Sequence, residues 1–314
     1  MGGATAIVTR WRSAVVATTV VVAATVLAWA LAQPQNSLGD SAVRVVADIA
    51  AVLTLGLAVV SRFDDPRYRE ELAARAAGPL VVSAAVWAIA ELVRLVVNAA
   101  RSAGTSVVGL GFGTAVDFAT ATALGRSGLV CLAAAAVVAL VAAFLPRTAA
   151  VSVATVGLAA LGLASRNLVG HLSASTLGGL AVALHALAAA LWCGSLAALV
   201  LTVDRRGRWA RVLPRFSRMS LACVAVLVAC GAVGALVVLA SPAALYETGY
   251  GRLLTAKVVV TAALIVLAWR NRTMWLPAAR THRASSDVSN LRSRIELAGM
   301  GVALVLAAAL AVTG

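Results

Sequence analysis

The sequence predicts an all-α fold, a polytopic helical membrane protein with about nine transmembrane helices. Three observations carry that expectation. Of 314 residues, 62% are apolar and only 12% charged, with a mean hydropathy of +0.97; an ordinary soluble domain has roughly 45–50% and about 25%. The apolar residues gather in runs of about 20, the length that crosses a hydrocarbon core. The connections between runs alternate in positive charge. Too little polar surface remains to face water, which excludes a soluble enzyme, a disordered chain and a secreted disulfide scaffold. The lipid bilayer is the first partner.

Taken in order, the first run, 13–32, follows a short basic start with Arg10 and Arg12. It is too long for a signal-peptide core and more runs follow, so it reads as a retained first helix. Runs at 41–61 and 79–98 come next. Within the outer segment 99–124, the Gly- and Thr-rich stretch 104–124 reads as a short interfacial or re-entrant helix. Runs at 125–145, 149–165, 176–202, 217–240, 253–270 and 294–312 complete the set, the fifth being the shortest. Each run is apolar all round rather than along one stripe, the mark of a span and not of a surface helix. No loop is long enough for a soluble domain. Gly109, Gly111 and Gly113 are not followed by a phosphate-cradling helix pattern. One integrated membrane domain is expected, helices 1–5 in 1–165 and helices 6–9 in 166–314. The stop at Gly314, directly at the end of a run, suggests part of a longer protein.

The formal charge of +14 comes from 25 Arg, the single Lys257 and 12 acids. In a soluble protein that balance points to nucleic acid; on these spans it reads as loop charge, and no nucleic-acid partner is expected. Nineteen basic residues fall on alternate connections: Arg10, Arg12, Arg62, Arg67, Arg69, Arg75, Arg147, Arg205, Arg206, Arg208, Arg211, Arg215, Arg218, Arg270, Arg272, Arg280, Arg283, Arg292 and Arg294. The other connections hold four, Arg101, Arg126, Arg166 and Arg252. The positive-inside rule places the nineteen in the cytoplasm. The N-terminus is then cytoplasmic and the C-terminus extracytoplasmic, as nine spans of a multi-pass protein in the cytoplasmic (inner) membrane require.

Ionisable side chains in hydrocarbon are costly, so each needs a reason. Arg44 and Asp48 stand at i, i+4 in the second run, and Glu91 and Arg94 at i, i+3 in the third, spacings that permit pairing on one face. They read either as structural ion pairs or as the lining of an ion path. With the orientation above, they share an outer level with His171, His185, Tyr246, Glu247, Tyr250 and Lys257. Two of the three His lie at this depth beside Asp48 and Glu91, a set that suits a metal ion received from outside. Deeper in the membrane come Cys193 and, along one face of the seventh run, Cys230, Cys223 and Met219. Thiolates and thioethers prefer Cu(I); the same residues also serve as small packing hydrophobes. The four Cys lie in apolar runs without a CxxC, so neither a disulfide framework nor a zinc ribbon is expected.

The C-terminal half carries an ordered series of motifs: GHLSAS at 170–175, LHALAAALWCGSLAAL at 184–199, RFSRMS at 215–220, YGRLLTAK at 250–257, NRTMWLP at 271–277 and LRSRIELAGMGVALV at 291–305. In this order they resemble the copper resistance protein D family of membrane proteins, over about 145 residues. The first five spans look like those of actinobacterial members, some of which continue into a domain resembling an oxidase copper-assembly factor. The resemblance implies copper transport, usually uptake, across the cytoplasmic membrane, with Cu(I) or Cu(II) as the ion and no enzymatic activity. It also implies a periplasmic CopC-type copper-binding protein as partner. His171 and His185 match the family's His positions, and Trp192 and Gly194 its Trp-x-Gly-Gly-like turn, with Ser195 in place of the second Gly. Arg215, Phe216, Lys257, Asn271, Arg272, Arg294 and Glu296 match further positions, most of which read as snorkelling or helix-end pairs.

The mechanism expected from these residues is a permease. Copper is received at His171 and His185, with charge from Asp48 and Glu91, and moves inward past Cys193 and the Cys230, Cys223, Met219 face. Arg44, Arg94, Trp192, Tyr250 and Lys257 are supporting polar residues. Two rivals stand beside it. One is a membrane copper-delivery factor for an oxidase. The other is a b-type haem protein using the 14-residue spacing of His171 and His185, which lacks partner His on another helix.

Overall fold

The computed structural model describes residues 2–33, 38–168, 176–238, 244–280 and 285–313, and among them every regular element is helical. The helices are α1 Gly2–Ala32, α2 Leu38–Val59, α3 Arg69–Ser102, α4 Phe112–Ala121, α5 Ala123–Phe144, α6 Ala149–Asn167, α7 Thr176–Thr202, α8 Arg206–Val238, α9 Ala244–Glu247, α10 Gly249–Arg270, α11 Leu276–Arg280 and α12 Ser286–Thr313. Two 3-10 turns, Val60–Phe63 and Pro66–Tyr68, join α2 to α3, and a π turn, Asn271–Trp275, joins α10 to α11.

Eight helical stretches of the described residues are long and apolar enough to cross a membrane, and α1 adds a shorter apolar piece, Thr18–Ala32. The protein is an all-α polytopic membrane protein. Within the described residues each run expected to span lies on one helix, that of 41–61 ending in the first 3-10 turn, and α3 and α8 begin about ten residues before their runs. The 99–124 segment does hold a short helix, α4, close against the start of α5. There a β-carbon on Gly125 would lie 2.1 Å from the Phe118 carbonyl oxygen, so this corner requires glycine.

Boundaries follow local chemistry. Thr122, Thr148 and Thr248 cap α5, α6 and α10, each side chain accepting from the backbone N–H three residues on. Gly104, at φ 65°, ends the α3 region in the left-handed conformation that glycine adopts without steric cost. Pro79 and Pro214 lie inside α3 and α8; neighbouring helices let a membrane helix tolerate such breaks.

α2 is central, packed on α1, α3, α6, α7 and α12. The main core joins α2, α3, α5, α6, α7 and α8 around Leu55, Trp87, Leu196 and Trp209. A second core joins α1, α10 and α12 around Ala28, Leu253, Val305 and Ala308. Large apolar side chains such as Val82, Ile89, Val259 and Val266 point outward, the surface a bilayer solvates.

The two ends of the bundle differ in chemistry. At one end the basic connections meet acids. Asp64, between α2 and α3, accepts two hydrogen bonds from Arg211 at 2.9 and 3.2 Å, and Asp65 accepts one from Arg215 at 2.7 Å. Arg211 also lies over the Tyr68 ring at 4.1 Å. Asp204, before α8, accepts from Arg208 at 2.5 Å and from Arg75 at 3.4 Å. At the other end single arginines close helix C-termini. Arg252 donates to the Leu31 and Gln33 carbonyls at 3.1 and 2.9 Å, and Arg126 to the Thr120 and Ala121 carbonyls at 3.4 and 3.1 Å.

Candidate functional site

Buried polar groups gather at two levels of the bundle. Towards the Arg252 end, Glu91 of α3 is 2% exposed and held by two guanidinium groups: Arg94, one turn on, at 3.6 Å, and Arg166 of α6, which donates directly to its carboxylate. On α2, Arg44 pairs with Asp48 at 3.5 Å and reaches the Ala311 carbonyl near the end of α12. Arg44 also interacts electrostatically with Glu91 and Arg166, so the two pairs form one network across α2, α3 and α6. Cys131 of α5, fully buried, interacts with Glu91 and Trp87 at its edge. The network holds three guanidinium groups and two carboxylates. Both intrahelical pairs expected from spacing are present. Arg166, expected in an outer connection, lies instead in the last turn of α6 and donates to Glu91 at that depth.

His185 of α7 occupies a separate place. Its ring rests over Gly231 of α8, 3.7 Å from where a β-carbon would stand, and interacts with the Leu227 backbone. Lys257, two turns into α10, is within its electrostatic reach. The Nδ1 atom is buried and makes no hydrogen bond of normal geometry to the described residues. The structure thus sets His185 with Lys257, while Asp48 and Glu91 are engaged by arginines. His171 lies outside the described residues, so its expected pairing with His185 does too. Among the described residues no three His, Cys, Asp or Glu side chains are grouped to hold a metal. Tyr250 packs against the second core.

Closer to the basic end lies a sulfur cluster. Cys223 and Met219, one turn apart on α8, stand in contact, Sγ to Sδ 3.2 Å. Cys193 of α7, 7% exposed, interacts with Cys223 and with Glu296 of α12. Cys230 is half-buried further along α8, next to the Gly231 that carries the His185 ring. Sulfur donors therefore extend from beneath His185 towards the basic end.

Glu296 and Asn271, among the positions the resemblance matched, are both buried, and Asn271 stands at the C-terminal end of α10. Asn271 donates to Glu296 at 2.7 Å across 25 residues of sequence, the two side chains 7% and 3% exposed. The π turn at Asn271–Trp275 places an extra residue in the helical path, a feature frequent at functional sites. Trp192 lies towards the same carboxylate without a hydrogen bond of normal geometry. Arg272 is turned away to the Ser217 carbonyl and hydroxyl, both at 2.8 Å. Arg215 and Phe216 meet Asp65 and Phe63 at the basic end, in line with a structural role.

The fold is a bundle of apolar membrane helices with arginine-held carboxylates near one end and buried sulfur side chains nearer the other. Comparison with family models gives its lineage. One described as copper resistance protein D matches residues 210–311, and one described as copper resistance protein D-like, N-terminal domain, matches residues 35–180. The chain belongs to the copper resistance protein D family, which has a role in copper resistance or transport. No curated protein and no solved structure gives a significant match.

Proposed function

We propose that the protein is a copper permease of the cytoplasmic membrane that takes copper inward from the extracytoplasmic face. The observation that carries this reading is the contact of Cys223 with Met219 on α8, in the same core as Cys193 of α7, with Cys230 further along α8. Soft thiol and thioether donors favour Cu(I) over the harder ions of the cell. The buried Nδ1 of His185, without a hydrogen bond of normal geometry among the described residues, supports an entry ligand above them, with His171 as its expected companion and Lys257 as a neighbour. Asp48 and Glu91, with Arg44 and Arg94, form the charged surround of the entry level, and Trp192 and Tyr250 brace the helices. A periplasmic CopC-type protein, or an oxidase copper-assembly domain, is the chemical source or recipient the family implies. His171→Ala and His185→Ala, separately and together, test the entry site. Cellular copper and copper bound to the purified protein fall several-fold in the double variant, and wild-type values in both assays overturn the entry site.

A further inference from the structure

Arg147 stands in the short connection between α5 and α6, where the sequence reads it as loop charge. The structure turns it partly inward. The residue is half-buried, and its Nη2 atom is fully buried without a hydrogen bond of normal geometry to the described residues. A guanidinium nitrogen can only donate, so a buried one needs an acceptor. Other arginines of the bundle have acids: Arg94 and Arg166 share Glu91, Arg211 has Asp64 and Arg208 has Asp204. Among the described residues no carboxylate pairs with Arg147, and burial pushes its guanidinium below the ordinary value with no charge to offset it.

Arg147 lines a cavity closed by Ala58 of α2, Leu80 of α3, Val141 of α5, and Ser152 and Thr155 of α6. The space open to the centre of a water-sized guest is ≈ 10 Å³, enough for about one such guest. The Thr155 hydroxyl is committed to the Val151 carbonyl at 2.7 Å. Ser152 makes no side-chain hydrogen bond among the described residues, which leaves its O–H as a donor. Ser152 also lies in the first turn of α6, the positive end of that helix.

We propose that this cavity binds one small monatomic anion of the halide class, with Arg147 as its counter-charge and Ser152 as a second donor. A water molecule accepts a hydrogen bond from Arg147 but leaves its charge uncompensated, whereas a halide does both. The apolar walls, Ala58, Leu80 and Val141, strengthen that pairing, because a low local dielectric screens it less than water does. The small volume selects against phosphate and other polyatomic anions. None of these residues belongs to the copper path, so the site stands apart from the permease reading.

The experiment uses the full-length protein in detergent micelles, with chloride exchanged for gluconate at constant ionic strength. Wild type melts at least about 2 °C higher in chloride, and its presence broadens the chloride NMR line. Arg147→Gln removes both effects, and Ser152→Ala weakens chloride binding several-fold. Arg75→Gln, at an arginine paired with Asp204, keeps the full response, which separates a bound ion from general screening. Bromide displaces the chloride and inorganic phosphate does not. Equal melting of wild type in the two salts, without line broadening, means that the cavity takes water only and overturns the proposal. A chloride response that survives in Arg147→Gln overturns the placement. If Arg147→Gln does not fold, the competition in wild type decides, and displacement of chloride by phosphate contradicts the site.

Discussion

Gly56 and Gly194 cross backbone to backbone. A β-carbon on Gly56 would lie 2.0 Å from the Gly194 carbonyl, and one on Gly194 would lie 2.0 Å from the Val52 carbonyl oxygen. This contact brings α2, which carries Arg44 and Asp48, against α7, which carries His185 and Cys193. Close approach at small residues is the usual means of joining helices in lipid, where no hydrophobic drive brings them together. Gly56→Ala or Gly194→Ala must push the helices apart and costs about 1–3 kcal/mol or more. Gly157→Ala on α6, where nothing lies within 4 Å, is neutral. Thermal unfolding in detergent checks the contrast, and equal melting of all three variants contradicts it.

Glu91→Gln leaves Arg94 and Arg166 buried without their carboxylate. Removing one partner of a buried ion cluster costs about 3–5 kcal/mol. Arg94→Gln costs less, because Glu91 keeps Arg166. The order of melting temperatures, wild type above Arg94→Gln above Glu91→Gln, is the outcome to measure.

The basic end predicts a pH dependence. The hydrogen bond from Arg215, aided by the charges of Arg215, Arg67 and Arg211, holds the Asp65 carboxyl below its usual 3.8. Because the folded value is the lower one, the stabilisation is complete above the ordinary carboxylate range and is lost as pH falls through the folded value. Asp65→Asn therefore lowers the melting temperature by a constant amount between pH 5 and 8, by about 1–3 °C for a weak exposed pair. The difference closes below about pH 4. A gap that widens as the pH falls below the usual carboxylate range contradicts the sign.

Much of the helix order was legible because a bilayer demands long apolar runs, and α6 kept its place although its run was the shortest. The intrahelical pairs Arg44–Asp48 and Glu91–Arg94 were legible from spacing alone. Partners between helices were not. Arg166 looked like a loop charge because nothing local ties it to a carboxylate 75 residues earlier. The burial of Glu296 and Asn271 was not legible, because the π turn and the packing of α12 bring them together across 25 residues of sequence. The Trp-Cys-Gly-Ser motif marked Gly194, which the structure places inside α7 rather than in a turn, but its counterpart Gly56 carried no signal within an ordinary apolar run.

The central claim, movement of copper through this bundle, is tested most directly by reconstituting the full-length protein into proteoliposomes and following Cu(I) entry with a lumenal copper-sensitive dye. Wild type gives saturable entry well above protein-free vesicles, and Cys193→Ser with Cys223→Ser reduces it at least tenfold while the protein remains folded and inserted. Entry at the protein-free rate, or undiminished entry in the Cys double variant, contradicts the account.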